Sequence, residues 1–277
     1  PVANEPTVSF GGWFSAPYGS GTQYTDGSGN SLTPWSTLGG AELYAFWIDE
    51  TLSFVSVRVN GKDAYSVSAG PRISLVTSVT VPETHNGLPV LMVDGGAFSG
   101  CRALEVINIP ASVVKIGSNA FNFTRIPAFN VDSGNKYYCS DSAGALFNKN
   151  KTELIRFPSE NKLTSYKLPS SVKVICDGAF RTNDYLSSVT LPSGLELIGN
   201  SAFVGCRALS SVTVPSKVRE IGYSAFEGCS SLAEVTLPEG LKKLGGGAFS
   251  GCAKLKELTL PASLEEMGDN ILGFCSS

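Results

Sequence analysis

The chain has 277 residues, 42% of them hydrophobic and only 16% charged, with a formal net charge of −3. This is enough for one long domain or two smaller ones, and with no Lys/Arg block or basic stripe nucleic acid is not an expected partner. Wholly apolar runs such as Val90–Val93 fall far short of the ~20 residues that a membrane helix requires.

Pro1 does not open a charged and then apolar leader, so any secretion signal is expected to have been removed or never present. Residues 7 to 47 alternate aromatics with Gly-rich turns ("VSFGGWFSAPYGSGTQYTDGSGN", then "AELYAFW") and show no helical period, which predicts a small β domain over residues 1–49. Trp13 and Trp47 are expected in its core and Trp35 at its surface. Phe10-Gly-Gly-Trp-Phe14, Gly21-Thr22 and Leu43–Trp47 resemble the second half of the Listeria–Bacteroides repeat. The resemblance implies a β-grasp-like module of the kind that accompanies leucine-rich repeats in internalin-type surface proteins. The family unit begins with a further strand or two, so this copy is trimmed or shortened. Asp26–Asn30 echoes a calcium loop, but Ser31 and Thr37 stand where Gly and Glu are needed, and a Gly-rich turn is the expected reading. "ETLSFVSVRVNGKDAYSVSAG" then alternates cleanly and predicts strands that lead into the rest of the chain and cap its exposed end.

From about residue 75 the chain repeats itself. Prolines closing an apolar triplet fall at Pro169, Pro192, Pro215, Pro238 and Pro261, and Ala-Phe pairs end at Phe180, Phe203, Phe226 and Phe249, a step of 23 residues throughout; Phe98 and Phe121 share it upstream. So short a unit cannot bury its own apolar face, whereas stacked copies share one core. The expected fold is therefore mainly β: a solenoid over residues 50–277. Units such as "LPSGLELIGNSAFVGCRALSSVTVP" resemble the BspA-like leucine-rich repeats of bacterial surface proteins. That resemblance implies a short strand at Leu-x-x-Val-x-Leu lining a concave face and a second extended segment at Leu-x-x-Ile-Gly on the other side.

Phe121 and Phe180 are 59 residues apart, two periods plus 13. The excess predicts an insertion at about 130–165, with Ala145–Phe147 and Glu153–Phe157 flanking "NKNK" as a protruding hairpin. Its Tyr137 and Tyr138 are expected to be exposed and available for contacts. Towards the end, Ile271-Leu272 takes the Ala-Phe slot before "GFCSS", leaving an uncapped edge that is expected to support at most weak dimerisation of an otherwise monomeric chain.

Candidate chemistry is sparse. Cys101, Cys206, Cys229, Cys252 and Cys275 share one slot of the repeat and read as a column of buried structural thiols, with Cys139 and Cys176 outside it. No Cys-x-x-Cys suggests a metal. His85, the only histidine, stands in "PETHNGLP", where a solvated loop residue is expected and no nucleophile is placed beside it. Glu105, Glu234 and Glu257 are the only carboxylates whose slots suggest a glycosidase-like pair, and solubilising side chains are the expected reading. No phosphate loop or dinucleotide fingerprint occurs, Gly245–Gly247 being a corner of the solenoid. Neither enzyme activity nor a cofactor is expected.

What remains is the outward side of the strands: Glu105, Val106 and Asn108; Ser187, Ser188 and Thr190; Ser210, Ser211 and Thr213; Ala233, Glu234 and Thr236; Lys256, Glu257 and Thr259. Asn108, the Thr column, the three Glu and Lys256, with Tyr137 and Tyr138 of the insertion, are the expected binding positions. The face is small and polar, which fits adaptable or glycan-like contacts. By resemblance the chain is a bacterial extracellular or cell-surface module recognising a host or microbial protein or glycan. A structural spacer and a glycan-capture accessory are the alternatives.

Overall fold

An Asn-Gly pair between alternating runs specifies a two-residue turn with both residues in the left-handed region. The computed structural model, which describes residues 8–14, 25, 44–49 and 51–275, contains two such turns. Asn60 and Gly61 (φ 51° and 78°) join strands Leu52–Val59 and Lys62–Ala69, and Asn86 and Gly87 (φ 47° and 76°) join Thr84–His85 to Leu88–Val93. Lys62–Ala69 pairs in parallel with Leu88–Val93, and buried Leu52 and Val67 join the repeat core. The lead-in hairpin thus closes one end of the stack, as its alternation implied. Ahead of it, Val8–Phe14 and Tyr44–Asp49 form an antiparallel pair. Trp13 there is half-buried, and its N–H donates to Thr25 Oγ1 at 3.1 Å. The side chain of Trp47, together with Trp35, Gly21-Thr22 and Asp26–Asn30, lies outside the described residues.

Each repeat crosses the molecule twice. The front crossing gives parallel strands in two groups: Ser78–Thr80, Val106–Ile109 and Ala128–Val131, then Ser165–Lys167, Ser188–Thr190, Ser211–Thr213 and Glu234–Thr236. The back crossing gives two-residue strands at Lys115–Ile116, Val174–Ile175, Leu197–Ile198, Glu220–Ile221, Lys243–Leu244 and Glu266–Met267. Val, Ile and Leu point inwards and Ser, Thr and Glu outwards, the period-2 rule applied to strands of three residues. Between the crossings the Ala-Phe pair enters the core. The rings of Phe157, Phe180, Phe203, Phe226 and Phe249 form a continuous stack with centroid spacings of 5.2, 4.6, 4.9 and 5.2 Å. Their main chains run as a ladder too, Phe180 N–H donating to Ala202 C=O and Phe203 N–H to Ala225 C=O, both at 2.7 Å.

Two expectations need correction. The insertion does not protrude. Tyr138–Ser140, Leu146–Asn148 and Glu153–Arg156 form an antiparallel meander, and its last strand pairs in parallel with Val174–Ile175 of the back sheet. Ala145, Leu146, Phe147, Leu154 and Phe157 are fully buried, so the extra residues contribute core of their own. Buried Asn135 fixes the entry: its Nδ2 donates to Pro110 C=O and Val113 C=O, while its Oδ1 accepts from the N–H groups of Tyr137 and Tyr138. The second correction concerns Lys256, Glu257 and Thr259, which do not lie on a strand; the last front strand is Glu234–Thr236. Leu258 still packs on the core, but Leu260 is 44% exposed and no front strand follows among the described residues, so the segment has a neighbour on one side only. Met267, Leu272 and Phe274 are exposed around the same final turn.

Candidate functional site

On the front face each turn contributes one or two outward polar side chains over a hydrophobic inner one. In the second group these are Ser165 and Lys167, Ser188 and Thr190, Ser211 and Thr213, and Glu234 and Thr236, all exposed. Ladder pairing puts Lys167 beside Thr190 and Thr213 beside Thr236, so the Thr column expected from the repeat is present as a row of neighbouring side chains. Strand-leading serines fasten the turns: Ser187 Oγ donates to Thr164 C=O at 2.9 Å and Ser210 Oγ to Ser187 C=O at 3.1 Å. In the first group Asn108 is half-buried and engaged, donating to Thr80 Oγ1 at 2.8 Å and accepting from Asn130 Nδ2 at 3.0 Å. A shallow groove of about 490 Å³ runs over Thr190, Ser193, Ser211, Thr213 and Ser216. No aromatic side chain points outward from the described front strands.

The remaining predicted positions are dispersed. Glu105 precedes Val106–Ile109 in the first group, Glu234 opens the last strand of the second, and Glu257 lies beyond it; the turns between them separate Glu105 from any carboxylate pair. Tyr137 is 47% exposed but belongs to the insertion, on the back-sheet side. Tyr138 is not a surface anchor: its Oη accepts the Ile116 N–H at 2.8 Å and its ring packs on the core. The reason is that Ile116 lies on an edge of the back sheet and its N–H needs an acceptor.

The thiols form a hydrogen-bonded ladder. Sγ of Cys206, Cys229, Cys252 and Cys275 each donates to the carbonyl of the Phe one turn back, Phe180, Phe203, Phe226 and Phe249, at 3.1–3.2 Å. Burial pushes Cys252 up to about 12. The hydrogen bond with Cys206 and burial raise Cys229. Cys229 and Cys252 thus stay protonated and serve as packing.

His85 is also not a solvated loop residue. It lies on the strand Thr84–His85, stacks on Phe54 (centroids 3.8 Å, 9°) and meets Tyr65 edge-on at 4.8 Å. Burial lowers its pKa, so below the ordinary value of about 6.5 the unfolded chain binds more protons than the folded one. Stability is therefore expected to fall as the pH drops from about 7 to about 5, and part of that fall is expected to vanish in His85→Phe. Urea midpoints of both proteins at the two pH values test this; identical losses would remove His85 from the account.

Sequence reasoning missed one feature entirely. Where the back sheet breaks, between Lys115–Ile116 and Glu153–Arg156, a cleft of about 390 Å³ opens, lined by Arg156, Asn122, Tyr138 and Cys176 among others. A signal was present: Arg156 precedes Phe157, 23 residues before Ala179-Phe180, and so puts a cation in the alanine column.

With this geometry in hand, the comparisons with known proteins are consistent in direction. Residues 74–160 and 153–277 match the family described as BspA type leucine rich repeat region, in six copies. The pneumococcal vaccine antigen PcpA is similar at 28% identity and TM-score 0.60, over 71% of this chain and 55% of that one, so the chain spans about half the length of the antigen. A leucine-rich repeat protein of T. pallidum (29% identity, TM-score 0.41, 78% and 83% of the two chains) and one of Bacteroides ovatus (28%, 0.44, 83% and 51%) are also similar. No curated protein matches significantly. No helix among the described residues is long and apolar enough to cross a membrane. The repeat match covers well over half of the chain, and the protein belongs to the BspA type leucine-rich repeat family.

Proposed function

We propose that this chain is a non-enzymatic recognition module of the bacterial cell surface or exterior, binding a host or microbial protein or glycan through its front face. The observation that carries the reading is the row of exposed Ser, Thr and Glu side chains held in ladder register across the second group of front strands. Hydroxyls at fixed spacing on a rigid scaffold match the alternating donors and acceptors of a sugar chain or an extended peptide. The groove over Thr190 and Thr213 lies along this row and offers it a concave seat. Family membership and the likeness to a pneumococcal vaccine antigen support the same placement.

The test is a screen of the purified chain against extracellular-matrix proteins and a glycan array, repeated with Thr190→Lys and Thr213→Lys. Both side chains are exposed, so stability is expected to change by less than about 0.5 kcal/mol. Saturable binding weakened at least about tenfold in the double variant supports the front face. Binding untouched by the double variant would move the site elsewhere on the molecule. Tyr137→Ala serves as the back-side control; removing residues 137–157 does not, because their core is integral. The absence of outward aromatics from the described front strands favours a second reading, a spacer with no ligand of its own, since recognition surfaces concentrate Tyr, Trp and Arg. An empty screen would favour that spacer.

A further inference from the structure

The cleft at the break in the back sheet is built around a buried charge. After the other two-residue back strands a glycine follows directly (Gly117, Gly199, Gly222, Gly245, Gly268), because a Cβ there meets neighbouring backbone or side-chain atoms at 2.2–2.6 Å. Cys176 occupies that slot behind Ile175. It is tolerated because the preceding turn is shorter: Leu154 pairs with Ile175, yet Phe157 already stacks on Phe180. Two residues fewer separate strand from ring, and the space they vacate is the cleft.

Arg156 forms its floor. The side chain is 3% exposed. Its Nη1 donates to Asn122 Oδ1 at 3.0 Å and, in a very short contact, to Gly178 C=O; its Nη2 donates to Arg181 C=O at 3.3 Å. All three acceptors are neutral, and two of the five guanidinium N–H groups are left over. No carboxylate among the described residues makes an ion pair with it. Asp177 and Glu153 also line the cleft, but Asp177 is held by Asn200 N–H and Nδ2, and Glu153 is exposed. Nearby, Arg181 Nε is buried without a partner. Burial pulls Arg156 down to about 10, as expected of a cation whose desolvation is not offset by an anion.

We propose that this cleft binds a small monocarboxylate, its carboxylate on Arg156 and its apolar stem against Ile155, Val174 and Leu197. A guanidinium with two free N–H groups matches a carboxylate in geometry, and pairing removes the cost of an isolated buried charge. The volume lies within the range of small-molecule pockets. Glu153 and Asp177 at the cleft repel a second anionic group and favour a neutral or cationic far end.

The experiment titrates the intact chain with hexanoate, 6-aminohexanoate, adipate and neutral hexanamide, reading thermal midpoint and calorimetric Kd. Hexanoate and 6-aminohexanoate are expected to bind at least tenfold more tightly than adipate or hexanamide, and Arg156→Met is expected to abolish the difference. Equal responses to the acid and the amide, or a full response in Arg156→Met, would overturn the assignment. Should Arg156→Met fail to fold, Ile155→Trp decides, since it fills the cleft and leaves the guanidinium in place. Hexanoate binding lost in that variant supports the site, and binding retained refutes it.

Discussion

Replacing Phe203 by Ala is expected to destabilise the protein by about 3–5 kcal/mol, the range for deleting a buried aromatic ring. Phe203 is 1% exposed and stacks on both sides, on Phe180 at 4.6 Å and Phe226 at 4.9 Å. The substitution removes apolar burial and two ring contacts, and leaves a cavity that the main chain cannot close, because Phe203 N–H and C=O are both held in the inter-turn ladders, the carbonyl by Cys229 Sγ. In a solenoid each turn contacts only its neighbours, so loss at the middle of the stack also uncouples the two halves. Urea unfolding followed by circular dichroism reads both effects: an earlier onset, and a broadened or split transition. Phe203→Leu, which keeps most of the volume, is expected to cost well under half as much. A loss below about 1 kcal/mol for the alanine variant would show that the ring stack is not what holds the turns together.

The second large effect is expected from the smallest change, Gly245→Ala. A Cβ at Gly245 meets Gly222 C and Tyr223 N at 2.4 Å and Gly222 O at 2.7 Å, all backbone of the preceding turn. No rotamer change relieves such a contact. The turns must separate locally, which breaks Gly245 N–H to Ile221 C=O (2.8 Å) and disturbs the pairing of Ile221 with Leu244. The cost is expected at about 3 kcal/mol, the upper end for overpacking. Gly194→Ala is the internal control: its Cβ meets only Ser170 O at 3.6 Å, and its effect is expected within about 0.5 kcal/mol. Comparable losses for the two variants would show that glycine acts here through chain flexibility and not through the close approach of turns.

The close approach also explains why the cleft lies where it does. From Ile116 onward, a stack that needs glycine where consecutive turns touch has room for a side chain at Cys176, where the turn is short. Glu153–Phe157 is that turn, so Cys176 and the Arg156 guanidinium occupy volume that the other turns fill with backbone. The front face carries no such exception among the turns from Ser165 to Thr236, and its recognition chemistry is accordingly that of a regular surface.

The repeat of 23 residues by itself determined the solenoid, the Phe column, the thiol column and the alternation that sends Thr190, Thr213 and Thr236 outwards. These arise from local spacing, because each turn sees only copies of itself and one turn's pattern dictates the next. The Asn60-Gly61 hairpin was legible for the same reason, turn type being a property of two adjacent residues. Only the tertiary structure decided the fate of the segments that break the period. It folded the insertion into the back sheet, turned Tyr138 inwards to satisfy Ile116, stacked His85 on Phe54, and left Lys256–Thr259 outside the strand ladder. It also placed Arg156 beside Asn122, 34 residues away, at the seam where the two parts of the core meet. Such contacts depend on how much space neighbouring turns leave, a quantity set by the whole stack and carried by no single stretch of sequence.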